Sequence, residues 1–240
     1  MGKAVDSSNT RLKNPRYERK FLYPYTTPEE VIQRVVLCNP FNFSEIYHRR
    51  AVNNIYYDDQ AYSFYHQNVA GDDKREKMRL RWYGDIFEQV KNPTLEIKRK
   101  YGVVGDKLSF ALSEIENDLS KQQNLNSKIE ALLTQKEQLN LCSKMQSLTP
   151  SLYNSYERRY FLSHCKRFRI TIDYNMSFYN PNLSNFIRSK AFLNDVVMEL
   201  KYAVDDDQVC RELTQHFTAR LSKNSKYVRG VQLINHMEAH

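Results

Sequence analysis

The sequence predicts an α+β protein whose strands form an antiparallel sheet closed into a tunnel with a charged interior. Three observations carry the prediction. Short segments alternate apolar and charged residues at the two-residue period of a strand. The registers agree in placing Arg, Lys and Glu together on one face. The chain has 240 residues, 41% of them hydrophobic, with 17 Tyr and 12 Phe against 6 Gly and 7 Pro, which describes a folded domain rich in strand formers.

Residues 1–14 are polar and aperiodic and read as a disordered tail; residues 15–240 read as one domain. The first strand begins where Arg16-Tyr17-Glu18-Arg19-Lys20-Phe21-Leu22-Tyr23 starts to alternate. Thr27-Pro28-Glu29-Glu30 supplies an N-cap, a proline at the first helical position and acidic residues, and Val31, Ile32, Val35 and Val36 supply the apolar stripe of a short helix. Strands are expected over 51–58, 74–83 and 94–103, with a short helix about 61–68. Over about 108–146 the composition shifts to Gln, Asn, Ser, Lys and Leu at helical spacing, predicting a helical insert of two surface helices. A second set of strands covers 153–161, 166–174 and 195–202, with shorter pieces near 176–179 and 187–192. The end is helical: Val209, Leu213 and Phe217 form a stripe over 205–221, and 227–235 adds a turn or two.

Residues two apart in a strand share a face. Glu18 therefore sits with Lys20, Arg79 with Arg81, Glu96 with Lys98 and Lys100, Arg167 with Arg169 and Asp173, and Glu199 with Lys201. The opposite faces carry Tyr17 and Phe21, Leu80 and Trp82, Leu95 and Ile97, Phe168, Ile170 and Ile172, and Met198 and Leu200. An open sheet with its charged face in water would show the same period. Arginines two residues apart repel, however, and that arrangement is useful opposite an anion. Rolling the sheet up puts these cations around a lumen and removes the strand edges. Such a lumen needs a polyanion or water, since uncompensated buried charges are costly. Arg offers phosphate a planar fork of donors and Lys a point charge. Polyphosphates travel with divalent cations, for which Glu199 is the first candidate ligand, followed by Glu18 and Glu96.

The formal net charge of +8 implies an anionic partner without choosing among nucleic acid, acidic lipid and polyphosphate. The four cysteines, Cys38, Cys142, Cys165 and Cys210, have no CxxC spacing, so neither zinc nor a disulfide framework is indicated. No signal peptide or membrane span is read, and a cytoplasmic protein is expected. Most aromatics fall on the apolar side of the strands, which argues against RNA. No HExxH or Walker A pattern is present.

Several motifs in this order resemble the VTC domain of polyphosphate polymerases, within the triphosphate tunnel metalloenzymes that also include CYTH phosphatases. They are Arg16-Tyr17-Glu18-Arg19-Lys20-Phe21, Leu80-Arg81-Trp82-Tyr83-Gly84, Leu95-Glu96-Ile97-Lys98-Arg99-Lys100, Tyr156-Glu157-Arg158, Arg169-Ile170-Thr171-Ile172-Asp173, Met198-Glu199-Leu200-Lys201-Tyr202 and Ser225-Lys226-Tyr227. The resemblance implies an eight-stranded antiparallel tunnel with peripheral helices and a helical C-terminus. It also implies Mn²⁺ or Mg²⁺ as cofactor, and ATP and polyphosphate, or another triphosphate, as partners. By motif, Arg79, Arg81, Lys98, Arg158 and Arg169 would act on the reacting phosphates, and Lys20, Lys100, Lys201 and Lys226 would bind the phosphate chain. Glu199, with Glu18 and Glu96 behind it, would hold the metal, and Tyr227 would help close one mouth. Arg16 stands where the superfamily's ExExK signature has its first glutamate, which departs from the hydrolytic relatives. The implied activity is transfer of the terminal phosphoryl group of ATP to polyphosphate. Hydrolysis of tripolyphosphate or a nucleoside triphosphate in the same tunnel, and non-catalytic polyphosphate binding, are the alternatives.

Overall fold

The computed structural model describes residues 16–86, 89–101, 104–113, 115–118, 125–182 and 190–238. The N-terminal tail expectation lies outside them, as does the first half of the strand piece expected at 187–192, whose end falls in a short strand at Ala191–Leu193. In chain order the elements are β1 (Arg16–Tyr23), α1 (Pro28–Val31) running on into a π-helical segment (Ile32–Leu37), β2 (Phe43–Asp58), α2 (Ser63–Ala70) and β3 (Lys74–Tyr83). Then come β4 (Gln89–Lys91), β5 (Thr94–Tyr101), β6 (Val104–Ala111), β7 (Glu116–Asp118), α3 (Leu125–Gln135) and α4 (Leu139–Gln146). The second half holds β8 (Thr149–Ser163), β9 (Arg169–Tyr179), β10 (Ala191–Leu193), β11 (Val196–Ala203), α5 (Asp207–Thr214) and α6 (Lys226–Glu238).

One sheet, in the order β1-β11-β9-β8-β2-β3-β5-β6, holds the molecule together, with β10 added to β9 and β4 paired with β7 apart from it. Every pair is antiparallel. The sheet curls until its two ends meet: Lys98 of β5 donates to Glu18 of β1 over 2.7 Å, although those strands lie near opposite ends of the order. The eight-stranded antiparallel fold is as the sequence indicates, but its closure is not. Among the described residues no ladder joins β1 to β6, and side chains bridge the gap instead. The free edge of β1 is covered by the segment after α5, where Phe21 bridges Leu221 and the Ser222 amide donates to the Lys20 carbonyl at 2.8 Å. That cover removes a template for unwanted strand pairing.

Two helical layers seal the outer, apolar face. Under one end of the sheet, Met78, Leu80, Trp82, Leu95 and Ile97 pack against Ile129, Leu133, Leu141 and Met145 of α3 and α4. Under the other, Phe21, Ile170, Ile172, Met198 and Leu200 pack against Val31, Ile32, Val35 and Val36, with Cys210 and Leu213 of α5. Each such buried side chain stabilises the fold by roughly 1.5–3 kcal/mol relative to exposure. Thr27 caps α1 as its sequence indicates, its hydroxyl accepting from the Glu30 amide at 3.2 Å.

The expected helical insert is corrected in its first half: residues 104–111 form the edge strand β6 and 116–118 form β7. β6 pairs on one side only, and Leu108 is exposed, so its residues lack a clean alternation and their leucine spacing imitates a helix. The stretch expected as one helix over 205–221 instead holds the end of a 3-10 turn (Val204–Asp206) and then α5, followed by irregular chain to the bridge at Leu221.

On the concave face the character changes along β8 and β9. Arg158 and Asp173 are charged, whereas Leu152 and Phe178 are apolar and form a third cluster with Tyr56, Tyr156, Tyr227, Val231 and Ile234. The helix α6 thus lies inside the curl, over its apolar part. Gly230 permits this approach, because a Cβ there would stand 2.5 Å from Phe178 Cδ1.

Candidate active site

Strand alternation delivers the charged side chains to the concave face. β3 presents Lys77, Arg79 and Arg81; opposite them in the β3–β5 register lie Lys98, Glu96 and Thr94. The β1–β11 register sets Glu18 against Lys201 and Lys20 against Glu199. Arg158 stands opposite Asp173, and Lys226 reaches in from the first turn of α6.

Three ion clusters result. Glu96, buried, accepts from Arg79 Nε at 2.7 Å, lies 3.7 Å from Arg81 Nη1 and pairs with Lys107 of β6. Burial pushes its carboxyl up, and Arg79, Arg81 and Lys107 overcome that and hold it well below the usual range. Asp173, fully buried, accepts a bidentate pair from Arg158 at 2.5 and 2.7 Å and a bond from Lys226 at 2.5 Å. Its pKa is lowered to about 2, burial being outweighed by those two cations. The third cluster joins Glu18 and Glu199 through a shared cation: Lys20 Nζ lies 3.4 Å from Glu18 and 3.6 Å from Glu199. Lys98 pairs with Glu18 and Lys201 with Glu199, both at 2.7 Å. Burial and Glu199 raise the Glu18 pKa, but Lys20, Lys98 and Lys201 bring it down to about 2. For Glu199 burial is opposed chiefly by Lys201 and Lys20, and the carboxyl stays well below its ordinary value.

Cations outnumber these carboxylates, and Lys77 shows the consequence. It donates to Ser225 Oγ at 2.8 Å, and burial together with Lys20, Lys98 and Arg79 forces its pKa well down. Lys98 and Lys100 are lowered as well, first by burial. Polar atoms also wait without partners: Thr171 Oγ1, opposite Glu199, and Asn224 Oδ1, beside the carbonyl that receives Lys20, are buried without a hydrogen bond. A cavity of about 780 Å³ opens here, lined among others by Lys20, Arg75, Lys77, Lys98, Lys100 and Lys223.

Two carboxylates approach one another in this lumen, since Glu18 and Glu199 share Lys20, which also donates to the Asn224 carbonyl. That set fits a Mg²⁺ or Mn²⁺ ion arriving with phosphate, which takes one or two carboxylates from protein and the rest from ligand. Glu96 stands apart from Glu18 and Glu199, held in a separate cluster by Arg79, Arg81 and Lys107.

Most of the sequence-derived set comes together: Lys20, Arg79, Arg81, Lys98, Arg158, Lys201, Lys226, Glu18, Glu96 and Glu199 form the three clusters, and Lys100 lines the cavity. Arg169 lies opposite Lys201 but at the exposed start of β9, away from them. Arg167 precedes β9 and pairs with Asp206 on the surface. Tyr227 is buried rather than at a mouth, its hydroxyl donating to Asp58 at 2.5 Å. Sequence reasoning missed Lys77, one step back along the Lys77-Arg79-Arg81 alternation, and Lys107, which was read as loop just before the expected helical insert and lies in edge strand β6. It also missed Asn54 and Tyr156, which bond Arg81 at 3.0 and 3.2 Å.

Oppositely charged side chains thus line the concave face of a curled antiparallel sheet. Residues 15–235 match the VTC domain family, and the chain belongs to it. Among solved structures it is similar to the PH1819 protein of Pyrococcus horikoshii OT3, at 13% identity and a TM-score of 0.46, covering 93% of this chain and 99% of that one. It is also similar to a protein of Bacillus halodurans provisionally described as an adenylate cyclase, at 12% identity and a TM-score of 0.49, covering 88% and 94%. No curated protein matches. No helix among the described residues is long and apolar enough to cross a membrane.

Proposed function

We propose that this VTC domain is a polyphosphate polymerase that moves the terminal phosphoryl group of ATP onto a phosphate chain held in the lumen. The observation that carries the reading is the excess of lumen cations around buried carboxylates that are already ionised. Lys77 in particular has a depressed pKa in the empty lumen and gains its counter-charge when a phosphate enters. Phosphoryl transfer asks for alignment and charge neutralisation more than for covalent help from the protein. Arg79, Arg81 and Arg158, held in fixed orientation by Glu96, Asn54, Tyr156 and Asp173, present forks to the phosphates. Lys20, Lys98, Lys201 and Lys226 neutralise charge along the chain, Lys100 extends the path toward the cavity, and Arg169 attends its exposed end. Glu199 with Glu18 holds the divalent ion, which when bound withdraws charge from the phosphate oxygens.

Incubating the protein with ATP and Mn²⁺ and resolving products on a polyphosphate gel tests the reading. Long chains that disappear in Arg81→Ala are expected. Release of orthophosphate without chains would sink the polymerase in favour of a hydrolase, and absence of turnover would leave a binding module.

A further inference from the structure

We propose that Tyr47, Tyr83 and Tyr160, gathered around Arg50, form a platform that seats the base of a nucleoside triphosphate whose phosphates enter between Arg81 and Arg158. The inference rests on the phosphoryl-transfer reading above and adds a subsite to it. Arg50 Cζ lies 4.9 Å from the Tyr47 ring centroid, 5.6 Å from that of Tyr83 and 5.7 Å from that of Tyr160. Tyr47 meets Tyr160 edge to face, centroids 5.5 Å apart. The cluster is open to solvent: Tyr47 is 51% and Tyr83 50% exposed, and no carboxylate among the described residues pairs with Arg50.

Two irregularities in β2 build the cluster. The register with β8 shifts between Glu45 and Tyr47 and again between Tyr47 and Arg50. Such bulges re-aim side chains, and here they bring Tyr47 and Arg50, three residues apart, against the same Tyr160 ring. The platform is continuous with the phosphate site. Arg50 stands opposite Arg158 and Tyr47 opposite Tyr160 in the ladder, and Tyr83 follows Arg81 by two residues on β3. Inward from the platform, cations and rings alternate: Arg158 Cζ lies 5.9 Å from the Tyr160 ring and 5.3 Å from Tyr156, whose hydroxyl accepts from Arg81 at 3.2 Å. One ribose separates a base from its first phosphate, and one two-residue step on β8 separates Tyr160 from Arg158.

Magnitudes favour an incoming base over the cluster's own contacts. A base stacked on an aromatic side chain gains more than an exposed cation–π contact does. Stacking on rings and a guanidinium plane uses the π-face that every base has, so weak discrimination among bases is expected.

Calorimetric titration with ATP and with inorganic tripolyphosphate, both without metal, separates the subsite from the phosphate path. In Tyr47→Ala/Tyr83→Ala, ATP affinity should fall roughly 5- to 100-fold, from the stacking energy of about 1–3 kcal/mol. Tripolyphosphate affinity should stay within about twofold, and the Phe counterparts should restore ATP binding. Equal change for both ligands would overturn the platform and leave the phosphate path standing. Failure of the unaltered protein to bind either ligand would remove both. Tight binding of a single-stranded oligonucleotide without a triphosphate, lost in the variant, would overturn it in favour of an RNA surface.

Discussion

Lys77 and Arg79 are neighbours on one face of β3 and have opposite electrostatic surroundings. Arg79 has Glu96 at 2.7 Å, while Lys77 has a hydroxyl for a hydrogen-bond partner and cations on several sides. The folded protein therefore disfavours the charged form of Lys77, a cost that a bound polyanion relieves. Replacing it in Lys77→Met keeps the stem and removes the charge. The expected outcome is a protein that melts higher without ligand, by ~2–4 °C for each kcal/mol recovered in a chain of this size, and that binds tripolyphosphate more weakly. The pH sign follows from the direction of the shift. With its folded pKa below its unfolded value, the lysine is protonated in the unfolded chain and neutral in the folded one between the two, so stability rises with pH across that interval. The melting advantage of Met over Lys should thus shrink as pH rises towards about pH 10, above which both states hold a neutral amine. An advantage independent of pH would mean that packing, not charge, governs this position.

Among the elements, α2 and α6 are fixed by one buried carboxylate. Asp58, at the end of β2, accepts from the amides of Asp59, Phe64 and Tyr65 at 2.9 Å each and from the Tyr227 hydroxyl. The Tyr227 ring stacks on Tyr56 at 5.0 Å, and Tyr56 in turn receives Arg79 at 3.4 Å. A helix start, the inner helix and a lumen arginine thus hang on one chain of contacts. Asp58→Ala leaves the Tyr227 hydroxyl and several amides buried without an acceptor, at ~1–3 kcal/mol for each group left unpaired. A fall in melting temperature of at least roughly 5 °C is expected, with lower tripolyphosphate affinity as α6 and Lys226 lose their anchor. An unchanged melting curve would show that α6 is held by its apolar face alone. Little of this network was legible beforehand. Strands β1 and β3 were visible to the residue because both faces of each carry strong, opposite characters, and the Thr27 cap was visible because its chemistry is local. Asp58 gave no signal, since its partners lie at Tyr65 and Tyr227, separations that periodicity cannot see. Edge strand β6 misled because a strand paired on one side, with charges on it, has no need of a clean apolar face. The residues that share the concave face were legible for the same reason as the strands, and the Tyr47–Arg50 cluster was missed because it is made by irregular backbone in β2.

At the scale of the whole molecule, the curl is held shut across its gap by charge, since Glu18 of β1 meets Lys98 of β5 where no ladder forms. Its acid stability is therefore set by a few carboxylates. Glu18 drops from 4.5 to about 2, and Asp173 from 3.8 to about 2. Both are depressed on folding, so their contributions are complete above their unfolded values and are lost as pH falls through the folded ones. Each contributes on the order of 2–3 kcal/mol, so melting temperature should hold steady down to about pH 5 and then fall steeply toward pH ~2. Glu18→Gln should melt lower than the unaltered protein near neutrality and converge with it at the acid end, and parallel curves would show that Glu18 does not hold the gap. A polyanion offers a second check on the same balance. Removing the Glu18 charge in Glu18→Gln frees Lys20 and Lys98 at a pH where tripolyphosphate keeps its charge. The rise in melting temperature produced by saturating tripolyphosphate should accordingly be larger in Glu18→Gln than in the unaltered protein at about pH 7. A smaller rise in the variant would mean that the internal carboxylate assists the anion rather than competes with it for the same lysines.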